Sequence, residues 1–429
     1  MRVVKVASAA LGLIIGVLAA VPASAWDRKD AGVQILATMP PLVDNTGGLT
    51  TYRSAAEGIT VGLPAIPGRA ADNNIYLASS GINTADFMVP GVTPVPPDSP
   101  SNLFVIRPDG TFLGLNGTAC AAPCSQRITN STPYVLGLRW NPVTQQLWVL
   151  DLGNKGIPGC PLCTVGPGIL TVNPMTGIGT RSSITFQDNS ALNALTFDAA
   201  GNGYVSDARN GRIYKVTPNL DSATIWSSGG ATGDPLLFPA TPPGGIEPPF
   251  GVNGIEFNPP GCTPGPNCTL VAANTANRTI LQITCCNASG NANPAAVFLN
   301  GINGPDGVAI DTATGYIWVA SGQSDEIVVI QPLTIAGVAT GRAIAKLGDF
   351  NGIDGQGRAV EFLFPSSLAF SNLPANGGPA QRMLYVANLS SPNAGSIDTL
   401  WTLQVTQYTV AQLPVPAIPV TGCFRGSCP

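Results

Sequence analysis

Six residues hold equivalent places in this sequence, each opening a short apolar run: Glu57, Leu136, Asn193, Asn253, Asp306 and Ser366. Glycine follows in four of them, and Ala194 and Ser367 replace it in the third and sixth. Four of the six offer hard oxygen, as two carboxylates and two carboxamides. Converging from separate segments, such oxygens suit Ca²⁺ with water completing the shell, and Mg²⁺ or Mn²⁺ are further options. The same residue types are also ordinary turn formers ahead of a strand, where Asp306 could simply bond its own backbone.

The chain contains no histidine. That excludes a Ser-His-Asp triad, histidine-based zinc catalysis and c-type haem ligation. Hydrolysis here has to use carboxylates, amides, Lys or Tyr, or a metal held by oxygen.

The elements that would position these residues recur with them. The six first strands, from Glu57-Gly-Ile-Thr-Val61 to Ser366-Ser-Leu-Ala-Phe370, step by 79, 57, 60, 53 and 60 positions. Each is followed by a second strand: NIYLASS from Asn74, QLWVLDL from Gln146, NGYVSDA from Asn202, CTLVAAN from Cys268, YIWVASG from Tyr316 and MLYVANL from Met383. Third strands follow, the last at LWTLQVT from Leu400, and weaker fourth strands fit at 111–115, 181–186, 223–227, 296–299 and 343–347. Four short strands in a unit of this length, repeated six times, predict an all-β fold, a six-bladed β-propeller with four-stranded blades. The sixth unit lacks a fourth strand, and Val33 to Met39 is the candidate to close the ring from the N-terminal side. In such a ring the first strands lie innermost, so the six opening residues form one ring around the central channel.

Composition agrees. Hydrophobic residues make up 44 % and charged residues 10 % of the 429, with 50 Gly and 40 Pro as turn punctuation between apolar runs. Residues 1–25 read as a secretory signal: Arg2 and Lys5, an apolar core from Ala9 to Val21, and a small-residue site at Ala23-Ser24-Ala25. Its removal takes the net charge from −4 to −6, which argues against nucleic acid and anionic membrane as partners. The expected location is secreted or periplasmic, with no membrane insertion after processing. Ten Cys in close pairs suggest disulfides, with Cys160-Pro-Leu-Cys163 also carrying zinc-like spacing. The expected organisation is a signal peptide at 1–25, one propeller domain over 26–410, and a Pro-rich tail with a Cys pair over 411–429. Long Pro/Gly-rich connections at 81–101, 120–135, 153–167, 228–252 and 348–365 all fall on one face, where a protein, glycan or small ligand could bind.

The six units and their ring resemble the senescence-marker-protein/gluconolactonase (regucalcin) family of propellers, and more loosely NHL-repeat propellers. Pro305-Asp306-Gly307 followed by Ile317-Trp318-Val319-Ala320 is the closest local match, and Asn253-Gly254 the next. The resemblance implies a divalent cation on the channel axis held by Glu57, Asn253 and Asp306, with Asn193 pointing to the site. Sugar-lactone members often carry an Arg two residues before the blade-three Asn, where this chain has Ala191. The implied activity is metal-dependent hydrolysis of lactones or related esters on a small-molecule substrate, with Asp306 as ligand and base and Asn193 orienting water or substrate. The alternative is a non-catalytic propeller that binds a partner through its loop face. A carbon–carbon-forming synthase with Glu256 or Glu57 as base is a third option.

Overall fold

The computed structural model describes residues 32–39, 42–43, 51–52, 55–65, 69–80, 101–114, 117–120, 126–132, 134–155, 164–239, 250–372, 382–390 and 409–415. Six antiparallel sheets stand in a closed ring. Their innermost strands are Ala55–Val61, Val135–Trp140, Leu192–Phe197, Val252–Asn258, Pro305–Ile310 and Pro365–Phe370. The second strands are Ile75–Ser80, Leu147–Asp151, Gly203–Asp207, Thr269–Asn274, Ile317–Ser321 and Met383–Asn388. The expected all-β, six-bladed propeller is therefore the observed fold. No helix among the described residues is long and apolar enough to cross a membrane.

Blade six closes as its sequence suggested. Gln34–Thr38 pairs with Thr409–Pro414, which pairs in turn with Met383–Asn388. The third strand of this blade is Thr409–Pro414 rather than the segment expected from Leu400, which lies outside the described residues. Residues 411–414, read as the start of the tail, thus pair within the ring. The physical reason is visible in the pattern: Val410, Ala411 and Leu413 are fully buried. The fourth strand of blade two is Gly179–Arg181, earlier than the expected 181–186. The 348–365 connection holds a small hairpin of its own, Phe350–Ile353 with Ala359–Glu361.

One blade cannot bury both of its faces, and the core is accordingly divided among the blade-to-blade interfaces. Six apolar clusters occupy them, one for each interface. Even the closing interface has its own, where Tyr385, Ala387 and Val410 meet Ile59, Leu77 and Phe104. A repeated aromatic contact accounts for the Tyr or Trp at the second position of four of the second strands, in blades one, two, three and five. These four pack edge-on against an aromatic at the end of the next blade's inner strand: Tyr76 on Trp140 at 5.3 Å, Trp148 on Phe197 at 5.0 Å, Tyr204 on Phe257 at 4.8 Å and Trp318 on Phe370 at 5.7 Å. Such pairs each add ~0.5–1.5 kcal/mol beyond burial.

Cys262 is bonded to Cys268, and Cys285 to Cys286. Both pairs lie on blade four, in the connections that follow its first and third strands. The signal segment, the tail beyond Val415, and Cys124, Cys160, Cys163, Cys423 and Cys428 lie outside the described residues.

Candidate metal centre on the propeller axis

Every innermost strand carries a β-bulge at its opening residue. The register slips between Ala56 and Gly58, between Leu192 and Leu195, between Val252 and Ile255, between Pro305 and Val308, and between Pro365 and Ser367. Blade two slips in the same place, across Leu136 and Gly137. A bulge re-aims a side chain out of the normal alternation. Here it does so six times at one depth, and it produces the ring anticipated from the repeats.

The glycine after the ring residue has a steric cause. A Cβ on Gly58 would lie 2.3 Å from the carbonyl oxygen of Leu136 in the next blade. The equivalent contacts are 2.3 Å from Gly137 to Asn193 O, 2.1 Å from Gly254 to Asp306 O and 2.6 Å from Gly307 to Ser366 O. The carbonyls of Leu136, Asn193, Asp306 and Ser366 thus seat on the bare backbone of the preceding blade, while Ala194 and Ser367 hold the equivalent positions in blades three and six. Hydroxyls complete the seam. Ser206 Oγ donates to Asn253 O at 2.8 Å, Thr275 Oγ1 donates to Pro305 O at 2.7 Å, and Ser366 Oγ donates to Glu57 O at 3.2 Å across the closing interface.

Glu57, Asn193, Asn253 and Asp306, the four oxygen-bearing residues singled out in the sequence, are all brought to this ring, with Leu136 and Ser366 between them. None of the six is more than 7 % exposed. Asn193 Nδ2 donates to Glu57 Oε1 at 3.3 Å. Asn253 Nδ2 donates to Thr275 Oγ1 at 3.1 Å, which fixes the amide and leaves its Oδ1 buried without a partner. Glu57 and Asp306 have no cationic side chain paired to them among the described residues. Burial pushes the Glu57 carboxyl up to about 7, with the Asn193 bond opposing. Burial, and then the charge of Glu57, hold Asp306 well above the ordinary carboxylate range.

This donor set fits a hard cation. Two repelling, desolvated carboxylates and one orphaned amide oxygen are costly without positive charge beside them, and all three donor types are those Ca²⁺ takes. Among the described residues no group of three or more Asp, Glu, Cys or His assembles. Two carboxylates from the ring, supplemented by amide oxygen and water, are what the chain supplies.

From the ring a cavity of ≈ 760 Å³ runs down the channel. Its lining comes from the inner strands and from the turns that follow them, including Leu63, Pro64, Pro142, Pro260, Thr312 and Asn372. Among the described residues, none from the long-loop face lines it. The cavity therefore approaches the ring from the side of the short turns, opposite the loops expected to carry binding.

A second layer was not legible in the sequence. Three residues beyond the ring, Arg139 Nη1 pairs with Glu256 Oε2 at 2.5 Å. Glu256 Oε1 accepts from Thr196 Oγ1 at 2.7 Å and from the Phe257 N–H at 3.0 Å. Both oxygens of Glu256 are thus occupied, which disfavours the base role considered for it. Residues three apart on a regular strand point to opposite faces, and only the bulge brings this layer round to the channel.

No family model matches the chain, and no curated protein matches it. Solved structures do. A gluconolactonase of Xanthomonas campestris is 13 % identical with a TM-score of 0.45, over 88 % of this chain and 97 % of that one. The calcium-binding protein regucalcin of Agrobacterium tumefaciens is 15 % identical with a TM-score of 0.46, over 88 % and 94 %. An auxiliary nutrient-binding protein of Bacteroides thetaiotaomicron is 10 % identical with a TM-score of 0.47, over 89 % and 75 %. Gluconolactonase- and regucalcin-like propellers are thus among the structural neighbours of this chain, and what the ring does has to be argued from its own residues.

Proposed function

We propose that the chain is an exported hydrolase of lactones or related esters that depends on a divalent cation, Ca²⁺ foremost. The observation that carries this reading is the buried Glu57–Asp306 pair on the cavity wall, in a ring that also holds the buried Asn253 Oδ1, which has no hydrogen-bond partner among the described residues. Glu57, Asn253 and Asp306 would hold the ion. Bound there, it would polarise a substrate carbonyl and make a bound water more acidic.

The remaining chemistry belongs to the chain. Glu57 and Asp306 interact in the metal-free ring, each raised by burial, and a cation held between them would favour the ionised form of both. Asp306 is assigned as base, and Asn193 keeps the Glu57 carboxylate in place through its Nδ2 bond. The depth of the ring excludes bulk water, which strengthens each of these interactions. No step needs histidine.

The test is hydrolysis of a panel of γ- and δ-lactones and aryl esters, with and without Ca²⁺, by the mature chain and by Asp306→Asn. The expected result is metal-dependent turnover, reduced roughly 10²–10⁴-fold in the variant. Ca²⁺ binding without turnover across the panel would contradict the hydrolase and make the channel a ligand-binding site instead.

A further inference from the structure

The second layer of the channel consists of Thr60, Arg139, Thr196, Glu256, Ala309 and Ala369, each three residues beyond a ring residue. It is asymmetric. Blades one to four contribute polar or charged side chains, and blades five and six, which do not flank Arg139, contribute only methyl groups. Glu256 is nearly fully buried and bonded at both oxygens, so it acts as a fixed clamp on one end of the guanidinium. Arg139 spends one nitrogen on that clamp. Its side chain is 32 % exposed, it lines the cavity, and its Nε and Nη2 have no partner among the described residues. A guanidinium carries five N–H donors in a planar fork that matches a carboxylate bidentately. Here one nitrogen of the fork is anchored on a buried carboxylate and the residue lines the cavity.

We propose that Arg139 is a recognition residue for a carboxylate-bearing substrate lying along the channel. Its reacting group would reach the ring while its carboxylate meets Arg139, three strand residues or roughly 10 Å away. Ala309 and Ala369 leave the width for the chain between the two ends. This names the substrate class for the proposed hydrolase and rests on that reading for the position of the reacting end. The Arg139 subsite itself does not depend on turnover.

The probes are octanoate and its neutral match octanamide, with binding measured by calorimetry in the presence of a chelator so that no cation at the ring can take the carboxylate. The proteins are wild type, Arg139→Lys, which keeps the charge and loses the fork, and Arg139→Met/Glu256→Gln, which removes the ion pair without stranding a buried carboxylate. A thermal melt of each establishes that it is folded, and Arg139→Lys alone suffices should the double variant not fold. The expected result is octanoate bound at least tenfold more tightly than octanamide by wild type, with that preference abolished in both variants. Equal binding of the two probes by wild type, binding of neither, or a carboxylate preference that survives Arg139→Lys would overturn the proposal. Failure of the hydrolase reading would show instead as intact octanoate selectivity with no lactone or ester turnover.

Discussion

Replacing Glu57 by Gln should stabilise the metal-free protein at neutral pH and leave it unchanged in mild acid. Burial raises the Glu57 carboxyl from 4.5 to about 7. A folded-state value above the unfolded one means that the folded chain binds the proton more tightly. The contribution to stability is then full below the unfolded value and is lost as pH rises from about 4.5 through about 7. At 1.36 kcal/mol per unit the whole loss is about 3 kcal/mol, and Asp306, raised in the same direction, adds to it. A ring of this size unfolds with an entropy near 0.8 kcal/mol/K, so the effect corresponds to roughly 3–4 °C in Tm. The assay is thermal unfolding of wild type and Glu57→Gln in a chelator from pH 5 to pH 8, read as the difference between the two. The variant should lie within about 1 °C of wild type at pH 5 and exceed it by roughly 3–4 °C at pH 8. Saturating Ca²⁺ should then raise wild type and leave the variant nearly where it was. Parallel curves over the whole range would refute the claim that this carboxylate is held without a countercharge.

Three further outcomes follow from the geometry. Gly254→Ala drives a Cβ to 2.1 Å from Asp306 O and 2.8 Å from the Gly307 Cα, so urea unfolding should show a loss at or above the ~1–3 kcal/mol of an overpacked core; Gly355→Ala, with nothing near its Cβ, should change stability by less than ~0.5 kcal/mol. Arg181→Met strands the fully buried Asp151, paired to it at 3.1 Å, and should cost ~3–5 kcal/mol in the same measurement. Deleting the chain through Thr38 removes the strand paired with Thr409–Pro414 and bares that edge, so the truncated protein should melt well below wild type and aggregate in light scattering.

Much of the ring was legible in the sequence because the steric demand behind it is local. Close approach of adjacent blades leaves no room for a Cβ after four of the ring residues, and the resulting residue–Gly pairs mark Glu57, Leu136, Asn253 and Asp306. The aromatic position of the second strands marks the blade interfaces in the same way. Blade six was placed less well, because its second and third strands are separated by residues 389–408, and the apolar run at Leu400 competes with the buried Val410, Ala411 and Leu413. Glu256 was noticed only as a candidate base, and Arg139 and its pairing with Glu256 escaped notice, because strand alternation sends residues three apart to opposite faces and the bulge that reverses this is not written in the types of these two residues. The side from which the cavity approaches the ring was equally hidden, since loop length suggested the opposite one.

The central claim is that Glu57, Asn253 and Asp306 together hold a divalent cation, and the most direct measurement is a Ca²⁺ titration of thermal stability in wild type and Asp306→Asn at pH 7.5. At a free Ca²⁺ concentration a hundredfold above Kd, wild type should gain about 2.7 kcal/mol, or roughly 3 °C, and the variant should gain almost none. An unchanged Tm in wild type, or an equal gain in Asp306→Asn, would contradict the account.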